Sequence, residues 1–268
     1  MRRVRTWALA TTVVCSGLLL GLIVLAVDNP SGQFYDEHAM LSLYGAHGSA
    51  RTIFGWLGTI TVWTAVAALV VFGGLALAQG RARDAIVAFI IVAGANVTTQ
   101  VLKQVVITRP DHGWGALNSL PSGHTTVITT LTFAALIVVP PVFHLLISAV
   151  GALAIALITG SMVTAAWHRP SDVFAGLLVS LIWAGLALCI RRVPQFEYPA
   201  ASERGWLARL LPPLAGSTAA MVVLAVIGVR PRDGWYGLPE AFLVLAAIGI
   251  AVTGTLGVFT RLLAVPRR

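Results

Sequence analysis

Long apolar runs separated by short polar stretches divide this chain. Segments without Lys, Arg, Asp or Glu cover Thr6–Val27, Thr52–Gly80, Ala85–Leu102, His112–His168, Val173–Ile190, Leu210–Val229 and Ala241–Thr260. A helix that crosses a bilayer needs about 20 apolar residues. Six of the runs are near that length. The fourth is far longer, and Pro140-Pro141 divides it, because proline stops a helix and restricts the residue before it. The pattern predicts about eight spans, an all-α polytopic transmembrane bundle.

In chain order, the first span follows MRRVR. Its apolar stretch is too long for a signal-peptide h-region, and no small-residue cleavage site stands out, so it reads as retained. Asp28–Arg51, with Asp28, Asp36, Glu37, His38 and His47, reads as an outside loop. Span two ends at QGRARD and span three at Lys103. A turn-rich loop over Val106–Gly123 leads into span four, which begins near His124. Span five covers about Val142–Val163, and span six starts at Pro170. The polar stretch 191–209 reads as a cytoplasmic connector, and two further helices fill 210–268.

Composition sharpens this. With 57% hydrophobic and 10% charged residues and a mean hydropathy of +0.87, the chain falls outside the range of soluble domains. The net charge of +8 raises the question of nucleic acid, but its distribution answers it. If spans alternate, 12 of the 18 basic residues fall on one side: Arg2, Arg3, Arg5, Arg81, Arg83, Arg191, Arg192, Arg204, Arg209, Arg261, Arg267 and Arg268. That side is cytoplasmic by the positive-inside rule, with both termini on it. The charge is a topology signal, and no nucleic-acid partner is expected. Cys15 and Cys189 lie far apart in separate apolar runs, so no disulfide framework or thiolate metal site is indicated. His38 and His47 lack a third ligand at metal spacing and read as surface histidines.

Three polar motifs stand out, and alternation places all of them on the opposite, extracytoplasmic face. KQVVITRP (Lys103–Pro110) carries the only lysine of the chain and Arg109, placed against the charge bias. Both residues suit a helix C-terminus, and both also suit an anionic partner such as phosphate. PSGH (Pro121–His124) fits a helix start, where Ser122 caps and free backbone N–H groups face an anion. His168-Arg169-Pro170-Ser171-Asp172 also fits a helix start, with Pro170 at the first position. That accounts for Asp172 but not for His168. Four positions apart, the Asp172 carboxylate can accept from one ring nitrogen of His168 and leave the other as a nucleophile.

Together the motifs resemble the signature of the type 2 phosphatidic acid phosphatase superfamily, K-x6-R-P, then P-S-G-H, then S-R-x5-H-x3-D. The order matches, PSGH is complete, and Ser161, His168 and Asp172 have the signature spacing. The likeness covers Lys103–Asp172 directly. Residues 1–190 fit the family's six-helix core, and the last two helices lie outside it.

The resemblance implies a hydrolase without cofactor or metal, acting on a lipid phosphate or diphosphate of polyprenyl or glycerophospholipid type in the cell membrane. His168 would attack phosphorus, Asp172 would orient it, and His124 would protonate the leaving oxygen and then activate water. Lys103, Arg109, Ser122 and Gly123 would hold the phosphate oxygens. Two positions depart from the signature. Only five residues separate Lys103 from Arg109, a displacement of about 100° on an α-helix. Met162 stands where the signature has Arg, and a thioether offers phosphate neither charge nor donor. Arg169 beside the nucleophile is the candidate substitute. Phosphotransfer on the same site, or a non-hydrolytic transport or assembly protein of the same fold, are the alternatives. The sequence leaves the oligomeric state open.

Overall fold

The computed structural model describes residues 2–43, 62–190, 206–227, 229 and 234–263. Outside them lie His47, the start of the second apolar run, most of the expected connector (191–205, with Arg191, Arg192 and Arg204), and Arg267 and Arg268. The described residues form nine α-helices: α1 (Arg2–Ile23), α2 (Pro30–Leu43), α3 (Val62–Ala78), α4 (Ala82–Val101), α5 (Gly123–Val138), α6 (His144–Thr164), α7 (Pro170–Ile190), α8 (Trp206–Ile227) and α9 (Leu238–Leu263). Six helical segments are long and apolar enough to cross a membrane: Arg5–Asp28, Ala82–Val106, Pro141–Thr164, Pro170–Cys189, Ala208–Ile227 and Trp235–Leu263. Two shorter apolar helices, Val66–Ala78 and Gly123–Val138, join them. The molecule is a polytopic, all-α bundle, as the apolar pattern predicts.

Several helices begin or end a few residues beyond their charge-free runs. Asp84, Asp172 and Glu240 sit in first turns and Arg261 in a last turn. Carboxylates favour the positive end of a helix and cations the negative end. A charge at such a boundary therefore belongs to the helix instead of ending it.

One segment departs from the sequence reading. Asp28–Arg51 was expected as a loop, yet Pro30–Leu43 is helical, entered through a π-turn at Val24–Asp28. The start is ordinary in hindsight. Asn29 caps it by accepting the Gly32 N–H at 3.1 Å, and Pro30 occupies the first position. The polar residues of α2 made it look like a loop, but several of them face protein. Gln33 is fully buried, and Asp36 and Glu37 bond to the start of α7.

Helix α7 is central, packing on α1, α4, α5 and α9, while α6 packs on α5, α8 and α9. The last two helices are not a peripheral addition. Phe259 of α9 stacks on Phe133 of α5 at 3.9 Å between centroids, in the same core cluster as Ile155, Val173 and Leu224. Lipid tails are as apolar as the helix faces, so association in a bilayer depends on close packing. At Gly216 of α8 a side chain would run into the Ala149 carbonyl of α6. At Gly176 of α7 a Cβ would stand 2.9 Å from the Ser122 carbonyl and from Thr125 Cβ. That second contact presses the start of α5 against α7 and positions two of the three motifs.

Candidate functional site

All three motifs meet at one end of the bundle. The chain leaves α4 through a second π-turn, Leu102–Val106, and crosses to α5 by a loop that its own side chains hold. Asp111 Oδ1 accepts the N–H groups of Gly113 and Gly115, both at positive φ, where glycine is unstrained. Asn118 Nδ2 donates to the carbonyls of Lys103, Ile107 and Leu120, which ties the π-turn to the approach of PSGH. Gln33 of α2 donates to the Val27 carbonyl at 2.6 Å and to the Pro110 carbonyl at 2.9 Å. The backbone next to Arg109 is thereby anchored from two elements.

Ser122 is the N-cap of α5, its hydroxyl accepting the Thr125 N–H at 3.4 Å. Its own N–H donates to the Asp172 carbonyl at 2.9 Å, so PSGH is bonded directly to the first turn of α7. Gly123 opens α5 and His124 follows within its first turn. The His124 and His168 rings lie 6.4 Å apart between centroids, at 69°.

His168 is buried, with Nδ1 3.0 Å from Asp172 Oδ2. The same oxygen accepts the Arg169 N–H at 2.9 Å, and Asp172 is fully buried. A carboxylate in that position makes Nδ1 the protonated nitrogen and leaves the Nε2 lone pair for chemistry. The local backbone serves the same end. Helix α6 stops through Ala166 at a φ of 56°, and the Met162 carbonyl accepts the N–H groups of Trp167 and His168 at 2.9 and 3.3 Å.

Arg109 is the unusual group. It is 2% exposed, and none of its three guanidinium nitrogens has a partner among the described residues. Burial lowers its pKa from the ordinary arginine value and the nearby Arg169 charge adds to that, while Asp36, Asp172 and Glu37 act in the opposite sense. Arg169 is differently placed. Its Nε donates to Glu37 Oε2 at 2.7 Å, and its terminal nitrogens reach Ser119 Oγ at 3.2 Å and the Trp114 carbonyl at 3.3 Å. Its charge is answered by a carboxylate. Met162 is fully buried, so that position lends the site no cation.

Lys103 lies half-buried within the π-turn. A π-turn holds more residues per turn than an α-helix, so one missing residue rotates it by less than the α-helical 100°. The chain is already extended at Ile107 before it reaches Arg109, so helical rotation does not set the angle between Lys103 and Arg109.

Helix α2 brings residues that the sequence reading did not assign to the site. Asp36 accepts from Ser171 twice, from N at 3.0 Å and from Oγ at 2.5 Å. Burial raises its pKa from 3.8 to about 6 against the lowering effect of those bonds. Glu37, next in sequence, holds Arg169. Phe34 and His38 pack with Trp114, at 5.6 and 5.2 Å between centroids, and the Trp114 carbonyl in turn accepts from Arg169. The helix-start pair Asn29-Pro30 was the signal for α2, and nothing local told where its carboxylates would point. No group of three or more His, Cys, Asp or Glu able to hold a metal occurs among the described residues. No family model, curated protein or solved structure matches this chain, so the chemistry of the site is read from its residues.

Proposed function

We propose that this protein is a membrane phosphatase that hydrolyses a lipid phosphate or diphosphate through a phosphohistidine. The observation that carries the reading is Arg109, a buried guanidinium with no hydrogen-bond partner among the described residues, lying in the electrostatic reach of Asp172. Burying an unpaired charge costs several kcal/mol, on the order of the penalty that breaking a buried ion pair leaves behind. A tetrahedral oxyanion relieves that penalty, since its oxygens accept from the guanidinium fork in a bidentate manner.

The residues then divide the chemistry. His168 Nε2 attacks phosphorus with its lone pair, and Nδ1–H stays bonded to Asp172, which stabilises the charge the ring acquires. A phosphorus–oxygen bond breaks, and His124 supplies the proton to the leaving oxygen. His124 then takes a proton from water, which attacks the phosphohistidine and releases phosphate and free His168. Arg109, Lys103 and the N-terminus of α5 at Ser122 and Gly123 hold the equatorial oxygens. The motif end lies outside the cytoplasm and both termini lie inside. The arginine asymmetry and the even count of spans support that orientation.

Purified protein is offered phosphatidic acid, polyprenyl monophosphate and polyprenyl diphosphate, with and without alcohol acceptors and with EDTA. The expected result is phosphate release from at least one lipid, unaffected by chelator. Transfer to the acceptor in place of release identifies a phosphotransferase. No turnover of any lipid, with the substrate bound unchanged, supports the non-hydrolytic alternative. Cysteines introduced at exposed Leu117 and Gln79 test the orientation by impermeant labelling. Labelling of both from one side rejects it.

A further inference from the structure

Helix α2 places two adjacent carboxylates on the segment that carries His168. Asp36 grips Ser171 by both N and Oγ, and Glu37 grips the Arg169 guanidinium, so the pair closes on Pro170 from its two sides. The fields of both carboxylates reach Arg109. With neutral histidines, the charged groups of this corner are Lys103, Arg109 and Arg169 against Asp36, Glu37 and Asp172. With Asp36 ionised these charges cancel, and a corner without net positive charge is a poor receptor for a phosphate dianion. Two of the three carboxylates are held by groups of the site itself. Asp172 is bonded to His168, and Glu37 to Arg169. Asp36 is held by Ser171, a residue outside the reacting groups, with Asp172 opposing its charge and Arg169 favouring it.

We propose that Asp36 is a proton-linked brake on anion binding: ionised, it offsets the positive field of Arg109, and once protonated it leaves that field to the bound phosphate. This rests on the phosphatase reading for its biological use, but concerns only how the site takes up an oxyanion. The linkage is reciprocal, so a bound dianion raises the proton affinity of Asp36 and the loaded site takes up a proton. The groups facing Asp36 are Ser171 and Asp172 on α7, Arg169 before it, Arg109 on the loop after α4, and Glu37 on α2 itself. Burial has already brought Asp36 to about 6, within reach of ordinary conditions. Its role is positioning and electrostatic, since it touches Ser171 and not the reacting atoms.

The test uses the full chain in detergent with sulfate as probe, a tetrahedral dianion whose charge stays constant across the pH range scanned. Asp36→Asn keeps the shape, and an amide can still accept from Ser171 N and donate to Ser171 Oγ. The variant is expected to bind sulfate about tenfold more tightly than the parent at pH 8, with the gap closing near pH 5. Protonation of His124 or His168 affects both proteins alike and leaves that gap as the readout. A purely structural Asp36 makes Asp36→Asn bind equally or more weakly at every pH, which overturns the proposal. Ser171→Ala is the second variant. Its lost hydroxyl bond favours the protonated carboxyl, so the parent's pH dependence moves to higher pH. An unmoved or downward-shifted profile also overturns the proposal. Turnover of the lipid panel is measured in parallel. Sulfate linkage without turnover leaves the brake standing and removes the phosphatase, whereas turnover without linkage does the reverse.

Discussion

Arg81 and Arg109 both sit in connections of the same bundle, at opposite ends, and their surroundings could hardly differ more. Arg81 donates to Asp84 Oδ2 through Nε at 2.9 Å and Nη2 at 2.5 Å, to Gln79 at 3.1 Å, and to the carbonyls of Val138 and Ile137 at 2.6 and 2.7 Å. It closes the C-terminus of α5, where carbonyls lack helical partners and a cation is welcome. Arg109 is more deeply buried and donates to nothing among the described residues. A guanidinium with every donor used is already at its energy minimum and holds the fold together. One whose donors find no acceptor among the described residues is held in a costly state by the fold around it, the condition a bound anion would relieve. Arg169, paired with Glu37 at the motif end, lies between the two extremes.

If the contrast is sound, the two ends fail in different ways when altered. The largest effect belongs to His168→Asn, whose amide can still donate to buried Asp172 and so spares thermal stability in detergent, yet which should reduce lipid phosphate turnover to background, because in the proposed mechanism no other group supplies the attacking nitrogen. Next comes Arg109→Ala. Its kcat/KM should fall about 100-fold, which is roughly 2.7 kcal/mol of transition-state stabilisation. Its unliganded stability should stay equal or rise, since an unpaired buried charge has gone. A clear loss of stability instead would make Arg109 another structural arginine and erase the contrast.

Arg81→Ala should behave in the opposite way. Losing several charge-assisted bonds is expected to lower stability by about 1.5–3 kcal/mol, while kcat/KM measured well below the melting temperature changes less than about threefold. The smallest effect is the pH dependence of stability at Asp36. Its folded pKa lies above the unfolded one, so ionisation costs the native state. That penalty is absent below about 4 and complete above the folded value of about 6. Asp36→Asn should therefore raise the melting temperature above neutral pH and leave it unchanged near pH 4. Equal melting curves at both pH values would show that burial does not penalise this carboxylate.

Legibility from the sequence followed the physics of each feature. Apolar runs read directly, because a spanning segment must be long and uncharged whatever packs beside it. PSGH and His168–Asp172 read directly too, because an N-cap and an i,i+4 pair are local geometry. Helix α2 was missed for the converse reason. Its polar residues point into the protein, and burial of a polar residue is decided by what stands opposite. The roles of the two arginines differed from their sequence appearance in the same way. Arg169 stood next to His168 and looked available, but Glu37, 132 residues earlier, holds it.

The chain by itself determined that this is a multi-span helical bundle, where its apolar helices lie, and which residue types cluster around its middle third. Those properties depend on hydrophobic length, capping and spacing, all of which act within a few turns. Only the tertiary structure decided that α2 packs against the motif end, that Glu37 satisfies Arg169, and that Arg109 is buried without a hydrogen-bond partner among the described residues. The electrostatic state of a charged group depends on every charge and dipole within several ångströms, and in a folded bundle those neighbours come from distant parts of the chain.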